Sequence, residues 1–259
     1  MNKLEGPVLP GGETYDVKGL KAALQKIAAK PALGEVVKRG AEARAEDVYE
    51  SGELDKRIHE ADLVLYSGAG TGHVPKYIEE HTKAKIFKLD LADLRTPDTK
   101  DKKFLIANAR QLPIADESLN VVCLFDILHH TKNQEELLKE AFRVLKPGGK
   151  CLIMEDTIPE EINYGAGLGK VRAKAKKWLV GKMDDTFNLQ SKGVNPHNYH
   201  PISDWELMGH DAGFEVNAKT TKSWHWGVED FLGASRKTRP SEPTWRRLMQ
   251  ATMFEFVKK

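Results

Sequence analysis

The run Leu63-Val64-Leu65-Tyr66-Ser67-Gly68-Ala69-Gly70-Thr71-Gly72 constrains the fold more than any other stretch of this chain. A short apolar strand empties into glycines at alternate positions, where a backbone without Cβ can turn sharply and let a ligand lie against it. The segment that follows, His73 to His81, carries Val74, Tyr77 and Ile78, with Pro75 in its first turn. It therefore reads as a helix beginning at the loop. Strand, glycine loop and helix N-terminus in that order make a nucleotide-type site.

Spacing narrows the nucleotide. A dinucleotide fingerprint places its third glycine three residues after the second, and here that position is His73. A nicotinamide-dependent oxidoreductase is therefore the alternative rather than the first reading. Lys85-Ile86-Phe87-Lys88-Leu89-Asp90 predicts a second strand ending in a carboxylate, which can accept both hydroxyls of a ribose. Val121-Val122-Cys123-Leu124-Phe125 and Cys151-Leu152-Ile153-Met154 read as strands covered on both faces. Between them, Leu137, Leu138, Ala141, Phe142, Val144 and Leu145 recur at helical spacing, and Lys146-Pro147-Gly148-Gly149 ends that helix. Strands alternating with helices predict an α/β doubly wound fold, with ligands beyond the carboxyl ends of the strands. Gly68, Asp90, Asn108 and Asp126 all fall there.

Six motifs in order resemble the class I S-adenosylmethionine-dependent methyltransferases, specifically the type 11 group. They are the Gly68–Gly72 loop, Asp90, Ala107-Asn108-Ala109-Arg110-Gln111-Leu112-Pro113, Asp116-Glu117-Ser118-Leu119, Leu128-His129-His130, and Arg143-Val144-Leu145-Lys146-Pro147-Gly148-Gly149. The resemblance implies a Rossmann-like, mostly parallel seven-stranded sheet with its last strand antiparallel and added helices. It also implies S-adenosyl-L-methionine as cofactor, held by Tyr66, Gly68, Ala69, Gly70, Gly72, Asp90, Leu91, Asn108, Ala109 and Asp126. The family usually has an acid at the Tyr66 position, holding the cofactor's methionine end. A tyrosine carries no charge at neutral pH. Weaker binding, replacement by Asp126 or a water, and a non-catalytic cofactor-binding or scaffolding member are the readings this leaves open.

The expected reaction is methyl transfer to oxygen, nitrogen or carbon of a small molecule, with RNA or a lipid as the runner-up acceptor. No Asn-Pro-Pro-aromatic motif of base-amine methylation follows the fourth strand, where Asp126-Ile127-Leu128-His129 stands. Catalytic candidates are His129, His130 and His200, since histidine titrates in the useful range; in the resembled family the first two usually serve packing. His197, Tyr199, Trp224, His225 and Trp226 either line a substrate pocket or close the core's edge. No metal ligand set is evident, and Cys123 and Cys151 read as reduced core thiols, pointing to a cytoplasmic protein.

With 259 residues, 40% of them hydrophobic, the chain reads as one methyltransferase domain. Residues 1–61 form an N-terminal helical cap broken at Pro31, with Leu20, Leu24, Ile27, Val36, Val37 and Val48 inward. Residues 62–160 form the cofactor-binding core, 161–203 a basic helical insertion, and 204–259 the rest of the sheet and a terminal helix. In that terminal helix Trp245, Leu248, Met249, Thr252 and Phe256 supply the spacing, while a further helix spans Ser203 to Ala212. Met1 to Asp16 has no apolar signal core. A net charge of +2 gives no general attraction for nucleic acid, so no nucleic-acid partner is expected. The exception in charge is the stretch from Gly169 to Lys182, with Lys170, Arg172, Lys174, Lys176, Lys177 and Lys182 and no acid. Leu168, Val171, Ala175, Trp178 and Leu179 make it an amphipathic basic helix. The first reading is a solvated basic face over a core-packed stripe; a substrate lid, a membrane-surface contact at 168–182 and an RNA contact are the others.

Overall fold

Hydrophobic runs with no polar alternation need cover on both sides, and the sheet supplies it. The computed structural model describes residues 31–158, 160, 166–171, 174–175, 178, 198–223 and 250–259. Its strands are β1 (Leu63–Ser67), β2 (Lys85–Asp90), β3 (Phe104–Ile106), β4 (Leu119–Phe125), β5 (Leu145–Thr157), β6 (Glu215–Ser223) and β7 (Gln250–Val257). They form one seven-stranded sheet in the order β3-β2-β1-β4-β5-β7-β6. Only β7 runs against the others, paired antiparallel to both β5 and β6. This is the α/β doubly wound sheet that the motifs implied.

Successive residues of each strand enter opposite layers. Leu65, Val122, Leu124, Cys151, Ile153, Phe254 and Phe256 enter one core. It is closed by α4 (Gln134–Val144), through Leu137, Leu138, Ala141 and Val144, and by α5 (Ile202–Asp211), through Trp205. Val64, Tyr66, Ile86, Val121, Cys123, Phe125, Leu152, Met154, Ala251 and Met253 enter the other. That layer is closed by α1 (Pro31–Ser51), α2 (Leu54–Arg57) and α3 (His73–Thr82), through Val48, Leu54 and Ile78. Full burial of each such side chain contributes about 1.5–3 kcal/mol. Both cysteines are free and buried on adjacent strands, and burial raises both thiols above the ordinary range.

Two readings change. The terminal helix is not formed over residues 250–257, which are strand β7. Thr252 and Phe256 are four apart, a spacing that helix and strand share, because 252, 254 and 256 also lie on one face of a strand. Ala251 and Met253 bury into the opposite layer, so this segment is apolar on both faces, as a strand between two neighbours must be. Pro31 begins α1, at the position where a missing N–H costs nothing, and the residues before it lie outside the described ones. Val48 is buried as expected, while Leu20, Leu24, Ile27, Trp245, Leu248 and Met249 lie outside the described residues, as do the side chains of Val36 and Val37. Secondly, the described part of the basic helix's apolar stripe is not packed on the core. Leu168, Val171 and Trp178 stand 78%, 63% and 66% exposed.

The last strand is also fixed by charge. Arg57 Nη1 donates to Glu255 at 2.6 Å, its Nε donates to the Gly52 carbonyl at 2.9 Å, and Asn217 donates to the other Glu255 oxygen. These contacts join α2, β7 and β6 across a buried site. Among the described residues no helix is long and apolar enough to cross a membrane.

Candidate cofactor site

The strand order reverses between β1 and β4, since β1 leads outward to β2 and β3 while β4 leads to β5. At such a switch point the connections leave in opposite directions and a crevice opens beyond the strands' carboxyl ends. Gly68 follows β1 and Asp126 follows β4, so both stand at its edge. The two segments are close: a Cβ on Gly68, which adopts φ +79°, would lie 3.1 Å from Cδ1 of Ile127, the residue after Asp126.

The loop is bound to the end of β2. Gly68 and Ala69 donate to the Leu89 carbonyl at 2.9 and 3.0 Å. Gly70 N–H donates to Asp90 Oδ2 at 2.8 Å, and Leu91 N–H donates to Oδ1 at 2.7 Å. Burial raises the Asp90 pKa, and the N–H groups of Gly70, Leu91 and Ala92 oppose that shift. An ionised carboxylate has about four acceptor positions, so Asp90 retains capacity for ribose hydroxyls. A nucleoside therefore fits these residues. Nearby, Ala107 N–H donates to the Asp90 carbonyl, and Asn108 Oδ1 accepts from Arg110 N–H at 3.0 Å. Leu91 is half-buried beside Asp90, and Ala109 is buried in the sheet's core.

Gly72 has a different reason to be glycine. Its φ is +86°, and a Cβ would meet Thr99 Oγ1 at 2.6 Å. The Thr99 hydroxyl donates to the Thr71 carbonyl at 2.6 Å, so the 96–99 turn closes on the loop from outside. His73, in the third-glycine position, is buried with Nδ1 3.1 Å from Thr71 Oγ1. Burial lowers its pKa, with Asp98 opposing, which favours the neutral ring at a helix N-terminus, where positive charge is unfavourable.

Tyr66 is only 4% exposed, and its ring meets Phe125 edge-on at 5.5 Å. Burial raises its pKa, so the phenol stays neutral. Asp126 is one of four non-glycine residues with positive φ among those described, at +49°. Its N–H donates to the Met154 carbonyl at 2.8 Å, and its carboxylate forms an ion pair with Arg44 of α1.

Beyond β4 and β5 the histidines separate. His129 is 2% exposed. Its Nδ1 lies 2.5 Å from Glu155 Oε2, and its ring stacks on Tyr199 at 5.0 Å. Glu155 Oε1 also accepts the N–H groups of Ile127 and Leu128 at 3.0 and 2.7 Å. His130 is half-buried, and its ring lies 3.9 Å from that of His129. His200 Nδ1 lies 3.3 Å from Asp204 Oδ2, and the His200 carbonyl accepts Ile158 N–H at 3.2 Å. His197 and Trp224, His225 and Trp226 lie outside the described residues. Glu155 and Arg44 do not stand out in the sequence. A carboxylate closing the run Cys151-Leu152-Ile153-Met154 was the available signal for the first; Arg44 lies in a run of charges that looks like a solvated helix face.

Comparison with known proteins converges on the same segment. A family model described as methyltransferase domain, type 11, matches residues 65–153. An uncharacterised methyltransferase-like protein of Schizosaccharomyces pombe is 33% identical over 140 residues, 50% of this chain and 54% of that protein. A demethylmenaquinone methyltransferase of Lactococcus lactis is 35% identical over 146 residues, 51% and 58% of the two chains. The chain thus spans about half the length of these curated relatives. Geranyl diphosphate C-methyltransferase of Streptomyces coelicolor, solved with S-adenosyl-L-homocysteine, shares the fold at a TM-score of 0.54 and 14% identity, over 84% of this chain and 77% of that one. The matched segment, residues 65–153, carries the loop and Asp90, and over that segment the chain is similar to the methyltransferase domain.

Proposed function

We propose that the chain transfers a methyl group from S-adenosylmethionine to a small, largely apolar acceptor. The observation that carries this reading is the Gly70–Asp90 hydrogen bond at the switch point, where a glycine loop and a ribose-competent carboxylate meet. S-adenosylmethionine supplies an electrophilic methyl on a sulfonium. Transfer is an in-line displacement, so the protein's task is alignment and exclusion of water. Gly68, Ala69 and Gly70 allow close approach of the backbone, Asp90 takes the ribose hydroxyls, and Leu91, Asn108 and Ala109 flank the base. Where the acceptor must lose a proton, His130 and His200 are the groups able to take it. His129, held by Glu155 and Tyr199, acts by positioning the 127–129 loop.

The demethylmenaquinone methyltransferase relative supports an apolar acceptor. So do Leu168, Val171 and Trp178, which stand exposed and fall on one side at helical spacing, with Lys174 flanking them and Lys170 further round. An amphipathic helix of this kind suits an anionic membrane surface. Incubating the protein with methyl-labelled S-adenosylmethionine and the organic-solvent and aqueous fractions of a cell extract tests the acceptor class. Label is expected in a small molecule of the organic fraction. Label only in RNA or protein would contradict the reading.

A further inference from the structure

Arg44 and Asp126 stand as an ion pair at the edge of the cofactor crevice, and the family resemblance implies a cofactor contact for Asp126 but none for Arg44. Asp126 reaches its position through a left-handed backbone at the exit of β4. Such a conformation is uncommon outside glycine and tends to occur where a site requires it. Its carboxylate is 19% exposed and the Arg44 guanidinium 20%. Each side chain thus keeps part of its surface exposed, while Arg44 Nη1 and Asp126 Oδ2 are themselves buried. Arg44 is delivered by α1, which Ala45 and Val48 anchor in the core. Ile127, the next residue after Asp126, packs on the first loop glycine, so the pair borders the cradle. Tyr66, the neighbouring strand-end residue, is buried against Phe125 and contributes no charge.

A cation and an anion paired at the mouth of a crevice are complementary to a zwitterion. A ligand with an α-carboxylate and an α-ammonium can exchange partners with them, leaving every charge compensated. The guanidinium fork matches a carboxylate bidentately, which a lysine ammonium cannot do. Building on the cofactor reading above, we propose that Arg44 binds the α-carboxylate of the cofactor's amino-acid end and Asp126 binds its α-ammonium. The clamp thus replaces the acid that the family usually carries at the position of Tyr66. The N-terminal helix thereby becomes part of the cofactor site.

The test is calorimetric and needs no methyl acceptor. Wild type, Arg44→Gln, Arg44→Lys and Asp126→Asn are titrated with S-adenosylhomocysteine, with its decarboxylated analogue, and with 5′-methylthioadenosine, which lacks both charged groups. Arg44→Gln is expected to weaken S-adenosylhomocysteine about 10- to 100-fold, the scale of hydrogen bonds to a charged group. The decarboxylated analogue and methylthioadenosine should change less than about 3-fold in that variant. Asp126→Asn should weaken both ammonium-bearing ligands and spare methylthioadenosine. Arg44→Lys keeps the charge without the fork and should fall between wild type and Arg44→Gln. An Arg44→Gln variant that binds S-adenosylhomocysteine normally, or that loses all three ligands equally, would overturn the clamp. Wild type binding neither S-adenosylhomocysteine nor methylthioadenosine would overturn the cofactor reading itself, and the clamp with it.

Discussion

Asp90 carries a conflict that decides its role. Burial raises its pKa, so the fold favours the protonated form, while the Gly70 and Leu91 N–H groups favour the ionised one. Because the folded pKa lies above the ordinary value of about 3.9, stability of the empty protein falls as pH rises from that value through the folded pKa. Ribose hydroxyls donate to the ionised carboxylate, so cofactor binding shows the opposite sign and is lost as pH falls through the folded pKa. Asp90→Asn is therefore expected to leave the Tm of the empty protein at pH 7 unchanged or higher. Binding of S-adenosylhomocysteine should nevertheless weaken by about 1.5–3 kcal/mol. Thermal melts and titration calorimetry separate the two effects. An unchanged dissociation constant would remove Asp90 from the site. At this scale the sequence was informative where chemistry is local: the loop glycines and Asp90 are joined by hydrogen bonds across two consecutive strands. Arg44 and Glu155 were not legible, because their partners Asp126 and His129 come from elements distant in sequence.

Elements were legible where one periodicity excluded the other. The strand β4 run Val121-Val122-Cys123-Leu124-Phe125 has no periodicity, and its shortness and its paired valines mark it as a doubly covered strand beside the helix α4 pattern. Strand β7 was misread because Thr252 and Phe256 satisfy both periods, and only pairing with β5 and β6 resolves them. Its packing is close enough to test. A Cβ on Gly209 of α5 would lie 2.2 Å from the Phe256 ring. Gly209→Ala relieves a helical glycine by roughly 0.5–1 kcal/mol, but overpacking a buried ring costs about 1–3 kcal/mol. Overpacking wins, and chemical denaturation should show a net loss of about 0.5–2 kcal/mol. A stabilised variant would show that β7 and α5 are not packed this closely. The basic helix makes a second element-scale prediction. Lys170→Gln with Lys174→Gln should reduce binding to anionic vesicles by about 30-fold, at ~1 kcal/mol per basic residue near the surface. Cofactor affinity should not change. Equal vesicle binding by the variant and the wild type would dissociate the helix from a membrane role.

For the whole molecule, topology decides where ligands can bind. The order β3-β2-β1-β4-β5-β7-β6 places the reversal between β1 and β4, so the glycine loop, Asp90 and Asp126 converge without being neighbours in sequence. The alternation of strands and helices made this architecture readable, since a right-handed crossover from each strand leaves few arrangements of a parallel sheet. The proposed acceptor side, where the ends of β4 and β5 meet the 198–204 segment, was less readable, because no single motif marks it. His73 supplies the discriminating feature against a dinucleotide, being buried in the place a third glycine would hold. Whether this crevice takes an adenosyl amino acid is measured directly by titration calorimetry of the wild-type protein with S-adenosylhomocysteine and with NAD. Saturable one-to-one binding of S-adenosylhomocysteine, with none for NAD at the same concentrations, is the expected result. Binding of NAD without S-adenosylhomocysteine would make the crevice a dinucleotide site instead.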